Sequence, residues 1–150
     1  MRTGIFRLMG MTLLLPLAVM VSGCGNPVGE GHNVRRATGV VITDLENRTL
    51  VASEGNAWDG PLIALQAGQA LPVRIFFIDP AGERFQLPTT GAEHTLRVEF
   101  TPAGIMSYEG PQADQGALRG VAPGETHATI MVWHGAHSDF RSPPLRLEVF

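Results

Sequence analysis

The sequence predicts an all-β domain, a single antiparallel β-sandwich, and three observations carry that prediction. Short apolar runs recur along the chain, separated by turn-forming residues at intervals of roughly 8–12 residues. Turn formers are abundant, with 18 glycines and 11 prolines, whereas charged residues make up only 17% of the chain. No segment shows the apolar periodicity of a long amphipathic helix. We therefore expect about seven or eight short strands in two layers.

Apolar residues at every second position mark four of these strands. This alternation runs through residues 71–77, 94–100, 128–132 and 145–149, and a period of two is that of a strand with one buried face. The first of these strands is followed by a turn sequence, Asp79-Pro80-Ala81-Gly82. The apolar side of the alternation predicts these core residues: Val73, Ile75, Leu96, Val98, Ile130 and Val132.

The first 23 residues have the pattern of a secretory signal peptide. Arg2 and Arg7 precede an apolar run of 14 residues, from Leu8 to Val21. This run is shorter than the about 20 residues that a membrane-spanning helix needs, and its length is typical of a signal peptide. The sequence Val21-Ser22-Gly23-Cys24 then resembles the lipobox of bacterial lipoproteins. The resemblance implies cleavage before Cys24 and attachment of a diacylglycerol anchor, with palmitate-type chains, to its thiol. The alternative is an ordinary signal peptide cleaved at a small-residue site.

The lipobox resemblance sets the expected domain boundaries and location. Residues 1–23 form the signal peptide, residues 24–36 a lipidated tether without apolar periodicity, and residues 37–150 the β-sandwich. Cys24 is the only cysteine of the chain, so the folded domain contains neither a disulfide nor a thiolate metal site. Gly25 follows it; in enteric-type lipoproteins, whose lipobox this sequence resembles, aspartate at that position favours retention at the inner membrane. We therefore expect a lipid-anchored protein of the cell envelope, in the outer membrane and facing the periplasm.

The charge of the chain from Cys24 onward argues against nucleic acid as a partner. Nine of the 11 arginines and all 14 acidic residues lie in this part, which gives a formal charge of −5, and the chain has no lysine. Nucleic-acid binding depends on clustered basic residues that neutralise phosphates. We therefore expect no nucleic-acid partner, and we expect contact with the membrane through the lipid on Cys24 rather than through a basic patch.

Three segments of the domain resemble bacterial immunoglobulin-like domains. Leu71–Gly82 resembles their strand followed by an Asp-x-x-Gly turn, and Gly120–Val132 resembles the Pro-Gly turn that leads into a Thr-rich strand. Pro143–Phe150 resembles their closing strand. The resemblance implies a single immunoglobulin-like sandwich of antiparallel strands. A cupredoxin-like or other Greek-key sandwich is the alternative fold.

A group of polar residues near the C-terminus forms the candidate site. His134 and His137 lie three residues apart and Asp139 follows two residues later, at the end of a predicted strand and in the loop after it. Imidazole and carboxylate ligands together suit zinc or copper(II) better than calcium or magnesium. His94 lies on the core side of its own strand and becomes a fourth candidate ligand if that strand neighbours the one ending at His134. His127 is a poorer candidate because it faces away from His134.

The alternative interpretation of this segment is structural. Asp139 would then bond to its own turn and hold a histidine N–H, without binding any ion.

The sequence offers no pattern typical of catalysis. It lacks a Gly-x-Ser-x-Gly nucleophile elbow and a glycine-rich phosphate loop, and lipidation would consume its only thiol. We therefore expect a non-enzymatic binding or structural module that contacts envelope proteins. The alternative function is binding of zinc or copper by His134, His137, Asp139 and His94.

Overall fold

The computed structural model describes residues 35–88, 93–112 and 115–150. The predicted signal peptide, the lipidation residue Cys24 and the tether up to residue 34 lie outside the described residues. Within those three ranges, no helix is long and apolar enough to cross a membrane.

The described residues form β-strands joined by turns and short loops, which confirms the prediction of an all-β fold. The strands are β1 (Gly39–Thr43), β2 (Thr49–Glu54), β3 (Ala57–Asp59), β4 (Ile63–Leu65), β5 (Ala70–Ile78), β6 (Arg84–Phe85), β7 (His94–Thr101), β8 (Met106–Gln112), β9 (Gln115–Gly120), β10 (Gly124–His134), β11 (His137–Arg141) and β12 (Leu145–Val149).

The strands are arranged in two sheets. The first sheet has the order β3-β2-β1-β5-β9-β8, with β6 paired to the end of β5. In the second sheet, β10 pairs with β7 along one edge and with β12 and then β11 along the other, and β4 lies beyond β12. All strand pairs of the described chain are antiparallel except β4 with β12.

The strand order is that of an immunoglobulin-like sandwich. In that fold one sheet has the order A-B-E-D and the other C-F-G. Here β1-β5-β9-β8 and β7-β10-β12 reproduce these two orders, with β2 and β3 added beside β1. The topology of the described strands therefore confirms the predicted fold class. In this comparison β5 corresponds to strand B, β7 to strand C and β10 to strand F.

The two sheets pack around one apolar core. Ile42 and Phe77 of the first sheet and Ile130 and Leu147 of the second are each at most 1% exposed and belong to the same cluster of packed side chains. Full burial of a side chain of this size contributes roughly 1.5–3 kcal/mol relative to an exposed position. The core therefore holds the two sheets face to face.

The predicted core residues differ in burial according to the position of their strands. Leu96 and Val98 face the core but are only half-buried, because among the described strands β7 has a neighbour, β10, on one side only. The other four are buried: Val73, Ile75, Ile130 and Val132.

The predicted turn after β5 is present, and hydrogen bonds to the side chain of its first residue, Asp79, stabilise it. Oδ1 of Asp79 accepts hydrogen bonds from the backbone N–H groups of Ala81 and Glu83, both at 2.9 Å. Arg35 lies beside this turn, with its guanidinium 3.2 Å from the Glu83 carboxylate, and Thr38 N–H donates to the Ile78 carbonyl at 2.7 Å. The first described residues therefore lie at the end of the sandwich where β5 ends, beside the turn at residues 79–82.

Sequence alternation predicted fewer strands than the described residues contain. β3 and β6 have only three and two residues, too few to show a period. β8 contains Gly110-Pro111 and shifts register there, which breaks the pattern. The prediction of a loop after His134 was also wrong, because His137–Arg141 forms β11.

Candidate metal centre

Three histidines lie in one row across the second sheet. The ladders place His134 of β10 directly opposite His94 of β7 on one side and opposite His137 of β11 on the other. His134 lies on the core side of β10, in line with Val132, because residues two apart on a strand point to the same face. The row therefore lies at the end of the sandwich core, where β10 turns into β11.

The imidazole rings of this row are in contact. The rings of His94 and His134 are stacked, with centroids 4.3 Å apart and planes inclined by 24°. The ring of His137 meets that of His134 edge-on, at a centroid distance of 5.3 Å and an angle of 61°. Three imidazoles so close together place several nitrogen donors around one small volume.

A β-bulge brings Asp139 into the same volume. In the β10–β11 ladder, Trp133 pairs with Ser138 and Val132 pairs with Phe140, so Asp139 is an extra residue with no direct partner. Bulges of this kind redirect a side chain and are frequent beside functional sites. The bulge also returns Phe140 to the core side, where its ring meets Phe77 edge-on at 5.8 Å.

The Asp139 carboxylate joins the three histidines. Its Oδ2 lies 2.8 Å from Nε2 of His94 and 3.7 Å from Nδ1 of His134. Its Oδ1 lies 2.9 Å from Nε2 of His137. An ionised carboxylate only accepts hydrogen bonds, so the N–H group of His94 donates to Oδ2.

Exposure increases across the row from β7 to β11. The side chain of His94 is 9% exposed, whereas those of His134 and Asp139 are each 38% exposed and that of His137 is 67% exposed. The cluster thus has a buried wall at His94 and an opening to solvent at His137. An ion from solvent has access to the nitrogen and oxygen atoms from the β11 side.

A tight hairpin turn fixes the spacing of His134 and His137. Gly135 and Ala136 are its two central residues, and Gly135 has a positive φ of 54°. Glycine with positive φ at the first central position is typical of a type II′ turn. The indole N–H of Trp133 donates to the Gly135 carbonyl at 2.9 Å and holds the turn in place.

Glu93, which was not among the predicted site residues, also belongs to the cluster. Its Oε2 lies 3.8 Å from Nε2 of His134, while Nδ1 of the same ring faces Asp139. A carboxylate at the second nitrogen of a metal-binding histidine orients the ring and increases its basicity. Its position directly before His94 was the only sequence signal that pointed to it.

The three donor atoms lie close enough together for one small divalent ion to reach all of them. One donor atom each from His94, His134 and Asp139 lies within 4.8 Å of the other two. Bonds of about 2.1 Å in a tetrahedral zinc site place ligand atoms about 3.4 Å apart, between the 2.8 Å and 3.7 Å found here. A metal ion bound to Nε2 of His94 would take the place of the hydrogen bond to Asp139, and the neutral ring would then carry its proton on Nδ1.

His127 lies apart from the cluster, as predicted from the alternation of β10. Its Nε2 is 3.9 Å from Glu125, whose other partner is Arg146 at 2.7 Å. The hydrogen bond from Arg146 lowers the pKa of Glu125. His127 also borders an open groove of about 580 Å³, together with Trp58 and other residues.

Comparisons with known proteins do not assign the chain to a family. No family model and no curated protein matches it. Among solved structures, the crystal structure of the S-layer protein SbsC domains 4 and 5 is similar over 69% of this chain and 59% of that chain, with 16% sequence identity and a TM-score of 0.40. The aligned part thus spans less than two thirds of that S-layer chain.

Proposed function

We propose that this domain binds one divalent transition-metal ion, zinc or copper(II), through His94, His134 and Asp139. The observation that carries the proposal is the convergence of two imidazole nitrogens and a carboxylate oxygen at the end of the core. This donor set is the one that zinc and copper(II) prefer. The bulge at Asp139 supports the proposal, because it places a carboxylate where a regular ladder would not.

We propose His137 as the fourth ligand, beyond the three whose donor atoms lie within 4.8 Å of one another. Three ligands leave one position of a tetrahedral shell unfilled, and His137, which contacts the other carboxylate oxygen of Asp139 at 2.9 Å, would turn towards the ion to fill it. A shell of four protein ligands is closed, which is typical of structural rather than catalytic zinc sites. The proposal is therefore a non-enzymatic module that holds its metal.

Zinc titration of the full chain tests this proposal. The chain, solubilised in detergent and stripped of metal with a chelator, is expected to bind one zinc ion saturably in a calorimetric titration. The double variant His134→Ala/His137→Ala is expected to lose this binding. His127→Ala is the matched control, because it removes a histidine of the same strand outside the cluster. Absence of saturable binding, or equal binding by the double variant, would contradict the proposal.

We further propose that the chain is anchored to the cell envelope by lipid on Cys24. The lipobox-like sequence Val21-Ser22-Gly23-Cys24 supports this, and two or three acyl chains hold a protein on a membrane far more firmly than one. Outer-membrane location, and contact there with other envelope proteins, belong to the same proposal. Cys24→Ser is expected to lose the lipid mass and the detergent-phase partitioning of the protein. Unchanged mass and partitioning in that variant would exclude the anchor.

A further inference from the structure

β7 is the long free edge of the second sheet. Within residues 35–88, 93–112 and 115–150, it pairs with β10 alone. The ladder with β10 is unbroken over eight residue pairs, from Thr101 opposite His127 to His94 opposite His134. In this part of the chain, the opposite edge of β7 therefore carries a regular row of backbone donors and acceptors that no described strand pairs with.

The other edges of the described sheets carry features that prevent pairing with another chain. β3 and β4 have three residues each, β11 has the bulge at Asp139, and β8 has a register shift at Gly110-Pro111. Short strands, bulges, proline and charged side chains are the usual means by which edge strands avoid association. β7 is eight residues long without a bulge or proline, and its two charged residues, Arg97 and Glu99, have opposite signs.

The apolar side chains of β7 are less covered than those of its neighbour. Leu96, Val98 and Phe100 face the core but are half-buried, whereas Ile130 and Val132 of the adjacent β10 are at most 2% exposed. A further strand beside β7 would cover the remaining exposed surface of its apolar residues.

The sequence of β7 is complementary to itself in antiparallel orientation. If Val98 is placed opposite Val98 of a second copy, Arg97 lies opposite Glu99 and Leu96 lies opposite Phe100. Opposite charges and apolar pairs facing each other across two strands stabilise an antiparallel ladder. The two charged residues of the strand thus favour this register.

We propose that two copies of this chain pair through β7 in antiparallel orientation, about a twofold axis at Val98. The two five-stranded sheets would form one continuous sheet, with their apolar faces on the same side. The interface is isologous, because the same strand serves both partners. It does not involve the contacts among the histidines.

The existing contacts of Arg97 and Glu99 are compatible with this pairing. Arg97 lies 3.2 Å from Glu99 of its own chain and stacks over the Trp133 ring at 4.4 Å. The side chain of Arg97 is nevertheless 48% exposed, and that of Glu99 is 41% exposed. Each can therefore interact with the opposite charge of the second copy.

Sedimentation of the full chain in detergent tests the proposal by reversal of charge. The native chain is expected to show a concentration-dependent equilibrium between monomer and dimer. Glu99→Arg places arginine against arginine across the axis, and Arg97→Glu places glutamate against glutamate. Each of these variants alone is expected to be monomeric, whereas their equimolar mixture is expected to dimerise, because each chain then faces the opposite charges.

The double exchange Arg97→Glu/Glu99→Arg is expected to restore self-association. Glu125→Arg is the matched control, a charge reversal on the exposed side of β10, and it is expected to dimerise like the native chain. Thermal melts of each variant establish that it is folded. A native chain that stays monomeric at every concentration, or single variants that dimerise as the native chain does, would overturn the proposal. In that second case the association of the native chain would be assigned to lipid anchors sharing one micelle and not to β7.

Discussion

His134 stands directly opposite His94 in the β7–β10 ladder, and their stacked imidazole rings are 4.3 Å apart. The two residues are 40 positions apart in sequence, so only the pairing of their strands brings them together. Because His134 also closes the hairpin with His137, a single backbone register positions all three rings. The geometry of the cluster therefore depends on the sheet itself and not on a flexible loop.

The first prediction concerns the carboxylate at the centre of the cluster. Zinc at a free concentration 100-fold above its Kd should stabilise the folded full chain by about 2.7 kcal/mol, because it binds the folded state only. Asp139→Asn should lose most of this stabilisation, since it removes the charge that lies between His94 and His137. Thermal unfolding with and without zinc measures both effects. An undiminished zinc effect in Asp139→Asn would mean that Asp139 is not a ligand.

The sequence could predict the strands whose one face is buried and the histidines that lie on them. Alternation placed Ile130 and Val132 in the core and His127 on the other face from His134, as the structure shows. Such inferences need only the period of the strand. They do not require knowledge of which strands are neighbours.

Sequence alternation could not predict the position of Asp139. Its place depends on one extra residue in β11, which becomes visible only when the ladder with β10 is known. The neighbourhood of β7 and β10, and with it the contact of His94 with Asp139, also follows from long-range pairing. A contact between two residues that are 45 positions apart produces no pattern within either segment of the sequence.

The second prediction compares two buried serines. Among the described residues, the Ser53 hydroxyl is buried without a hydrogen-bond partner. The Ser142 hydroxyl accepts from the Ile130 N–H at 3.0 Å and donates to the Pro143 carbonyl at 2.9 Å. An unpaired buried hydroxyl does not stabilise the fold, whereas loss of the Ser142 hydroxyl leaves the Ile130 N–H unsatisfied at a cost of about 1–3 kcal/mol. The Pro143 carbonyl would still accept from the Trp58 indole N–H.

Ser53→Ala should therefore leave the free energy of unfolding unchanged or raise it, and Ser142→Ala should lower it by about 1–3 kcal/mol. Chemical denaturation of the two variants beside the native chain measures the difference. Equal destabilisation by the two substitutions would contradict the assignment of their hydrogen bonds.

The third prediction tests the inner face of β10. Ile130 is 1% exposed and packs in the core, so Ile130→Ala should lower the free energy of unfolding by about 2–5 kcal/mol. Thr129 precedes it on the outer face, where it is half-exposed. Thr129→Ala should change stability by less than about 1 kcal/mol. Similar values for both variants in a denaturant titration would show that β10 does not pack as described.

The last prediction concerns the ionisation of Tyr108, the only tyrosine of the chain. Its ring lies against Gly116 of β9, where a side chain would collide with it, and burial raises its pKa from 10.0 to about 12. Above about pH 10 the unfolded chain releases the phenolic proton while the folded chain retains it, so stability should fall as pH rises towards about 12. Tyr108→Phe keeps the ring and should remove this part of the pH dependence. The tyrosinate absorbance of the native chain reports the titration directly, and a midpoint near 10 would show that the phenol is not buried.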